Sequence, residues 1–343
     1  MATHAQQTSG LAQGMHSLVW EDGHVRVDVG ISGLIKAKQT NTALAWLDLD
    51  GQPHQFRQML RDSFGISDFI LDVIDEDRER SKLTERHGYY HLVVHGLSFD
   101  PTTEEAETPK IDIVFGANWL ITSHRSELPW LDQLRESARK DAGDEHIMAR
   151  GLAILLHAVL DTLTDSYFPI LDDIDDIVDD LENVATVDTS NSVQGRIFRL
   201  KRTLAQMRRV ISPQVEVMNS LITLTGALIP RDSEAYFADV HDHLVRAFEV
   251  IDSYRDLMSG LLDVHLSTVS NRLNQVMKQL TIIATIFMPI TFITGVFGQN
   301  FGHSPQVEHD NGWNFWIVLL VMGAMTAAQI WYFRRKGWIG DRS

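Results

Sequence analysis

The sequence predicts an α/β domain, a mixed sheet flanked by helices, followed by a helical hairpin, a long stalk helix and two transmembrane helices. Three observations predict it. Short β-rich runs separated by turn chemistry recur as far as about Ser123. From Asp144 onward strand signals stop and long helical periodicity takes over. Finally, Gln279 to Val307 and Asn311 to Phe333 contain no Asp, Glu, Lys or Arg, and each is long enough to cross a bilayer.

Composition narrows the function. The chain has 343 residues and no cysteine, which excludes a disulfide scaffold, a thiolate zinc site and a thiol nucleophile. Its formal net charge of -16 argues against a nucleic-acid partner, because phosphate contacts need clustered Lys and Arg. Cations are the expected partners. The sequence holds no G-x-x-x-x-G-K-[ST], H-E-x-x-H or G-x-S-x-G, so neither ATP nor enzyme chemistry is expected.

Residues 1–17 are polar, lack the basic and apolar regions of a signal peptide, and are read as a disordered tail. Residues 18–143 form the α/β domain, with strands expected at Val25 to Val29, Ala43 to Leu49, Tyr89 to Leu97, Ile111 to Phe115 and Trp119 to Thr122. Asp22-Gly23, Asp50-Gly51-Gln52-Pro53 and Asp100-Pro101 supply turns. Residues 144–229 form a helical hairpin closed by Asp188-Thr189-Ser190-Asn191. Its first arm is acidic, from Asp172 to Glu182, and its second basic, from Arg196 to Arg209, so charge pairing between arms competes with a solvated, cation-attracting face.

After Ile229-Pro230, Asp232 or Ser233 can cap a helix that meets no proline until Pro289. Continuous to Phe297, it would be roughly 95 Å long. Residues 232–278 are read as a cytoplasmic stalk, 279–298 as the first span, 299–312 as an external loop, 313–333 as the second span and 334–343 as a basic tail. Arg272 and Lys278 precede the first span and Arg334, Arg335 and Lys336 follow the second, while the loop between has no Lys or Arg. The positive-inside rule therefore places both termini in the cytoplasm of a cell-membrane protein. Trp313, Trp316, Trp331 and Trp338 mark the edges of the second span.

Two spans enclose no aqueous path, so conduction requires an oligomer in the lipid bilayer with one span per subunit on a shared axis. On a 3.5-residue repeat, Asn274, Met277, Thr281, Ala284, Met288, Thr291, Gly295 and Gly298 form one stripe of small, polar and flexible side chains, with Leu280 at its margin. Pro289 cannot donate to the Thr285 carbonyl, and lipid tolerates that defect only where protein or water satisfies the oxygen. A water-filled lumen would do so; a tightly packed small-residue helix interface is the alternative.

The first span ends in Thr294-Gly295-Val296-Phe297-Gly298-Gln299-Asn300-Phe301. These residues, with Leu262 to Leu266, Ser270 to Met277, Thr281 to Pro289, Tyr236 to Asp239 and Trp46 to Gly51, resemble the CorA-type magnesium transporter family, whose hallmark is Gly-Met-Asn at this point. Gln299 stands in the methionine's place. The resemblance implies a funnel-shaped homopentamer that conducts divalent cations, with Gly298, Gln299 and Asn300 as the selectivity filter. It implies Asn274, Met277, Leu280, Met288 and Thr291 as lumen residues; helical geometry slightly favours Thr281 over Leu280. A filter that holds Mg2+ through its water shell needs oxygen acceptors without a carboxylate cage, and no carboxylate lies on the stripe from Asn274 to Asn300.

The family also implies a cytoplasmic regulatory Mg2+ bridging an acid of the long helix to an acid at the end of a strand of the adjacent subunit. Asp239 and Asp100 match these places, Asp100 as the end of a strand from Tyr89 to Phe99. Asp263, three turns before Asn274, faces the axis and is a weaker metal candidate. So are His303, Glu308, His309 and Asp310 in the external loop, whose imidazoles would favour Zn2+, Co2+ or Ni2+ over Mg2+. Mg2+ ranks first. The alternatives are a zinc, cobalt or nickel transporter of the same family and a non-conducting, membrane-anchored coiled-coil scaffold.

Overall fold

The computed structural model describes residues 14–40, 42–140, 143–223, 229–299 and 313–339. Its contacts divide the chain into two units, Met1–Leu262 and Asp263–Ser343.

The first unit opens with β1 (Met15–Glu21), β2 (His24–Val27), α1 (Ile31–Gln39), β3 (Leu44–Asp50), α2 (Arg57–Phe64) and α3 (Asp68–Asp75). Next come β4 (Lys82–Arg86), β5 (Tyr89–His95), β6 (Ser98–Asp100), β7 (Glu105–Glu107), β8 (Lys110–Phe115), β9 (Trp119–His124) and α4 (Pro129–Ala138). Seven strands make one sheet in the order β2-β1-β3-β9-β8-β5-β4, and β6 pairs separately with β7. Among the described residues, only β3 and β9 run parallel, with Ala45 opposite Trp119.

Residue alternation explains why β3 is apolar along its length. Trp46 and Leu44 point into one hydrophobic cluster, with Leu92, Ile113 and the helices that follow. Ala45, Leu47 and Leu49 point into the other, with Leu34, Leu60 and Ile70 of α1, α2 and α3. A strand covered on both faces reads as a continuous apolar run.

Three sequence expectations change. The sheet begins within the expected tail, since Met15 pairs with Leu49 and Ser17 with Leu47; residues 1–13 lie outside the described residues. The run from Tyr89 to Phe99 is not one strand: β5 stops at His95, and the Gly96 N–H donates to the Pro109 carbonyl at 2.9 Å. Asp100 therefore belongs to the β6–β7 ribbon, opposite Glu105. Charge pairing across the hairpin reduces, among the described residues, to Arg196–Asp180 at 2.8 Å. Arg196 also binds Glu104 at 2.6 Å, and Arg208 binds Asp252 of the long helix at 2.8 Å.

The helices of this unit are α5 (Leu152–Asp165), α6 (Tyr167–Ala185) and α7 (Asn191–Thr223), joined by the first part of α8 (Glu234–Phe297). Leu156, Leu160, Leu171, Ile197, Phe237 and Val240 share one core with the sheet. A buried polar cross-tie fixes β5 to them: Gln214 of α7 accepts from the His95 N–H at 3.2 Å, and Tyr167 donates to the His95 carbonyl at 2.5 Å.

In the second unit, α8 continues as one helix and α9 spans Trp313–Arg335. Their most apolar windows have mean hydropathies of 2.1 and 1.6. From Lys278 on, the half-buried positions of α8 are Lys278, Ile282, Ile286, Pro289, Ile290, Ile293 and Val296. On α9 they are Val318, Met322, Thr326 and Gln329, with Phe333 buried. Three- and four-residue spacing places each set on one face, so the two helices pack as a hairpin.

Candidate metal centre and membrane hairpin

His157, Asp161 and Asp165 recur every four residues on α5, and Asp239 and His243 do the same on α8. That spacing stacks each set on one helix face. The two faces meet in overlapping groups, His157–Asp161–Asp239 and Asp161–Asp165–His243, with the ligand atoms of each group all within 4.8 Å of one another. Aromatic rings hold the imidazoles: His157 lies 5.2 Å from Tyr236, and His243 meets Phe168 edge-on at 5.8 Å.

Electrostatics leave this cluster open to a cation. Burial, with Asp165 and Asp239 adding like charge, raises the Asp161 pKa against the pull of His157 and His243. Burial lowers that of His157, which keeps the imidazole neutral and able to donate a lone pair. His157 Nε2 and His243 Nδ1 are buried without a hydrogen-bond partner, and His243 Nδ1 lies 3.3 Å from Asp165. Crowded carboxylates with unspent imidazole nitrogens fit a divalent cation, and the mixed N/O set suits Co2+, Ni2+ or Zn2+ as well as Mg2+.

Of the sequence candidates, Asp239 joins this centre and Asp100 does not. The Asp100 carboxylate is exposed and accepts from the Thr102 N–H at 2.8 Å, the Thr102 hydroxyl at 2.7 Å and the Thr103 hydroxyl at 3.1 Å. Those bonds hold its pKa below the ordinary carboxylate value. Asp263 is exposed on α8. Sequence reasoning missed His157, Asp161, Asp165 and His243, although two four-residue ladders of His and Asp were the signal.

In the membrane hairpin, Asn274, Met277, Leu280, Thr281, Met288 and Thr291 are all exposed, Met288 by 71%. At 3.6 residues per turn, this stripe and the α9-facing positions lie roughly 140° apart around α8. Gly298 ends the helix, its N–H donating to the Thr294 carbonyl at 2.8 Å, and Gln299 follows. Asn300, His303, Glu308, His309 and Asp310 lie outside the described residues.

Among the described residues, two polar ties join the spans. Lys278 Nζ donates to the Gly337 carbonyl at 3.1 Å, where α9 ends in a left-handed turn (φ 68°) with Trp338 stacked on Phe333. Gln329 Nε2 donates to the Thr285 carbonyl at 3.1 Å. The oxygen freed by Pro289 is therefore satisfied by the second span, where the sequence suggested lumen water or small-residue packing.

The sequence model of the CorA-like Mg2+ transporter protein family matches residues 41–335. The chain belongs to this family. As a CorA-like protein it is a divalent-cation transporter homologue and not an enzyme. It is 34% identical over 295 residues to "Cobalt/magnesium transport protein CorA" of Thermotoga maritima, covering 86% of this chain and 83% of that protein. Identity to "Zinc transport protein ZntB" of Yersinia pseudotuberculosis is 21% over 305 residues, covering 89% and 91%. The complete structure of the CorA magnesium transporter from Methanocaldococcus jannaschii superposes with a TM-score of 0.80 at 23% identity, covering 96% of this CorA-like chain and all of that one. This likeness fixes the fold.

Proposed function

We propose that the chain assembles as a homopentamer in the cell membrane, both termini cytoplasmic, and conducts divalent cations, Mg2+ first, into the cell. The observation that carries this reading is the uncharged stripe from Asn274 to Gly298, left exposed by the hairpin. The stripe mixes Asn274, Thr281, Thr291 and two glycines with Met277, Ala284 and Met288, and copies of it around an axis would enclose a water-filled path of small and polar side chains. Moving two charges down a membrane potential releases about 4.6 kcal/mol per 100 mV, so no ATP is needed.

Gly298, Gln299 and Asn300 would present oxygen acceptors to the hydrated ion, and Met277, Leu280 and Met288 would close the path by dewetting. His157, Asp161, Asp165, Asp239 and His243 would hold a regulatory cation; when bound, it supplies the charge that the crowded carboxylates lack. A neighbouring subunit's Asp100 meeting Asp239 is the intersubunit form of this reading, although the Thr102 and Thr103 hydrogen bonds compete for that carboxylate.

A second reading, transport of Zn2+, Co2+ or Ni2+, is favoured by the two imidazoles in the metal centre. Flux into vesicles reconstituted with the purified protein, measured for each cation and in competition with Mg2+, separates the readings. Block of labelled-metal uptake by millimolar Mg2+ supports the first. Uptake indifferent to Mg2+ supports the second, and absence of flux for every cation leaves the scaffold.

A further inference from the structure

Proline inside a membrane helix removes one donor and orphans the carbonyl four residues earlier. In α8 that carbonyl is Thr285, and the Gln329 side chain from α9 donates to it at 3.1 Å, across 44 residues of chain. Gln329 is the only glutamine, asparagine or charged side chain of α9 between Trp316 and Phe333. Its amide stands beside a cavity of about 420 Å3 lined by Leu280, Thr281, Ala284, Thr285, Met288 and Pro289, so the groups around it are pore-stripe residues and the proline itself. Its Oε1 is buried and has no hydrogen-bond partner, so the amide is tied to the protein through Nε2.

We propose that Gln329 is a positioning residue for the pore helix: its single bond to Thr285 braces α8 at Pro289 and makes the segment of α8 beyond it, with Thr291 and Gly295, move with α9. Without that donor, bending α8 at Pro289 exposes an unpaired carbonyl in an apolar layer. With it, pivoting at Pro289 is linked to keeping or breaking one defined bond. The proposal rests on the reading of α8 as the pore-lining helix.

A double-mutant cycle tests it. Pro289→Ala restores an N–H that pairs with Thr285 within α8, which makes the Gln329 donor redundant; Pro289→Ser does the same if the alanine protein fails to assemble. Gln329→Leu keeps the bulk and removes the donor. We expect Gln329→Leu to shift the half-blocking cation concentration about threefold, which corresponds to ~0.6 kcal/mol, the average for an interhelical membrane hydrogen bond. It should also lower the melting temperature of the intact detergent-solubilised protein. Both effects should vanish in the Pro289→Ala or Pro289→Ser background. Equal effects of Gln329→Leu with and without Pro289, or no effect with Pro289 present, would overturn the proposal. Melting is read without ion flux, so a protein that conducts nothing would refute the channel reading while the melting cycle still decides the role of Gln329.

Discussion

The imidazole of His157 and the carboxylate of Asp239 share a cluster whose ligand atoms lie within 4.8 Å, although α5 and α8 bring them from opposite ends of the helical region. Asp161 belongs to both groups of that cluster, so its loss should cost more than the loss of either flanking imidazole. We expect Asp161→Asn with Asp239→Asn to raise the half-inhibiting cytoplasmic cation concentration at least tenfold while leaving maximal flux unchanged. Co2+ absorption spectra should lose the site in the same protein. Unaltered inhibition would remove the centre from regulation.

Acid should loosen this site. The Asp161 pKa is raised in the folded chain, so protons compete there at milder acidity than at an ordinary carboxylate. His157, with its pKa lowered, stays neutral below the ordinary value of 6.5 and contributes little to that competition. Calorimetric titration with Co2+ at several pH values and in two buffers should show proton release growing and affinity falling on acidification. The raised Asp161 pKa also means that the ion-free fold gains stability as pH falls through it.

A second charged cluster carries stability. Asp48 is buried between Arg135 at 2.5 Å, the Thr122 hydroxyl at 2.5 Å and His124 at 3.4 Å. Burial pushes the Asp48 pKa up, but His124, Thr122 and Arg135 outweigh it and lower it; burial likewise opposes His124, whose pKa Asp48 and the Ser126 carbonyl raise. The histidine contribution is complete below its ordinary 6.5 and fades as pH rises through the raised value. The aspartate contribution is complete above its ordinary 3.8 and fades as pH falls through the lowered one. Stabilisation from the pair should therefore be fullest between these ordinary values. Arg135→Met, which strands a buried carboxylate, should cost about 3 kcal/mol in unfolding followed by the fluorescence of Trp46, whose indole donates to Thr122.

The gate and the filter separate by mutation. Met288→Gly and Met277→Gly should increase flux under inhibiting cation by widening an apolar constriction, whereas Asn300→Ala should abolish uptake at any internal concentration. Conductance of the glycine proteins equal to wild type, or wild-type flux in Asn300→Ala, would each refute its own half of the assignment.

Where the sequence was informative, burial had written on it. The run Ala43 to Leu49 reads as a strand because both faces of β3 are covered, and the uncharged spans read as membrane helices because lipid admits little else. Elements whose environment is mixed were obscure. Lys82–Arg86 holds one apolar residue, Leu83, among charged and polar ones on a half-exposed sheet edge, so β4 leaves no apolar period. Tyr89 to Phe99 reads as one strand because nothing local announces that Gly96 pairs with Pro109. The metal centre lay hidden for a related reason: His157 and Asp161 sit in the largely apolar Leu152–Asp165, and Asp239 and His243 join them only when α8 packs beside them. Gln329 was one polar residue in a span marked only by its lack of charge, and its meaning depended on a proline on another helix.

The Lys278–Gly337 contact has a practical side. Because the acceptor is a backbone carbonyl beyond the end of α9, its place depends on the chain continuing far enough for Trp338 to fold back onto Phe333. A protein shortened before Gly337 would keep both spans whole and yet lose this polar fastener, leaving the apolar packing face and the Gln329–Thr285 bond to hold the pair. Removing Gly337 is thus a perturbation of the first span, delivered from a residue 59 positions further along the chain.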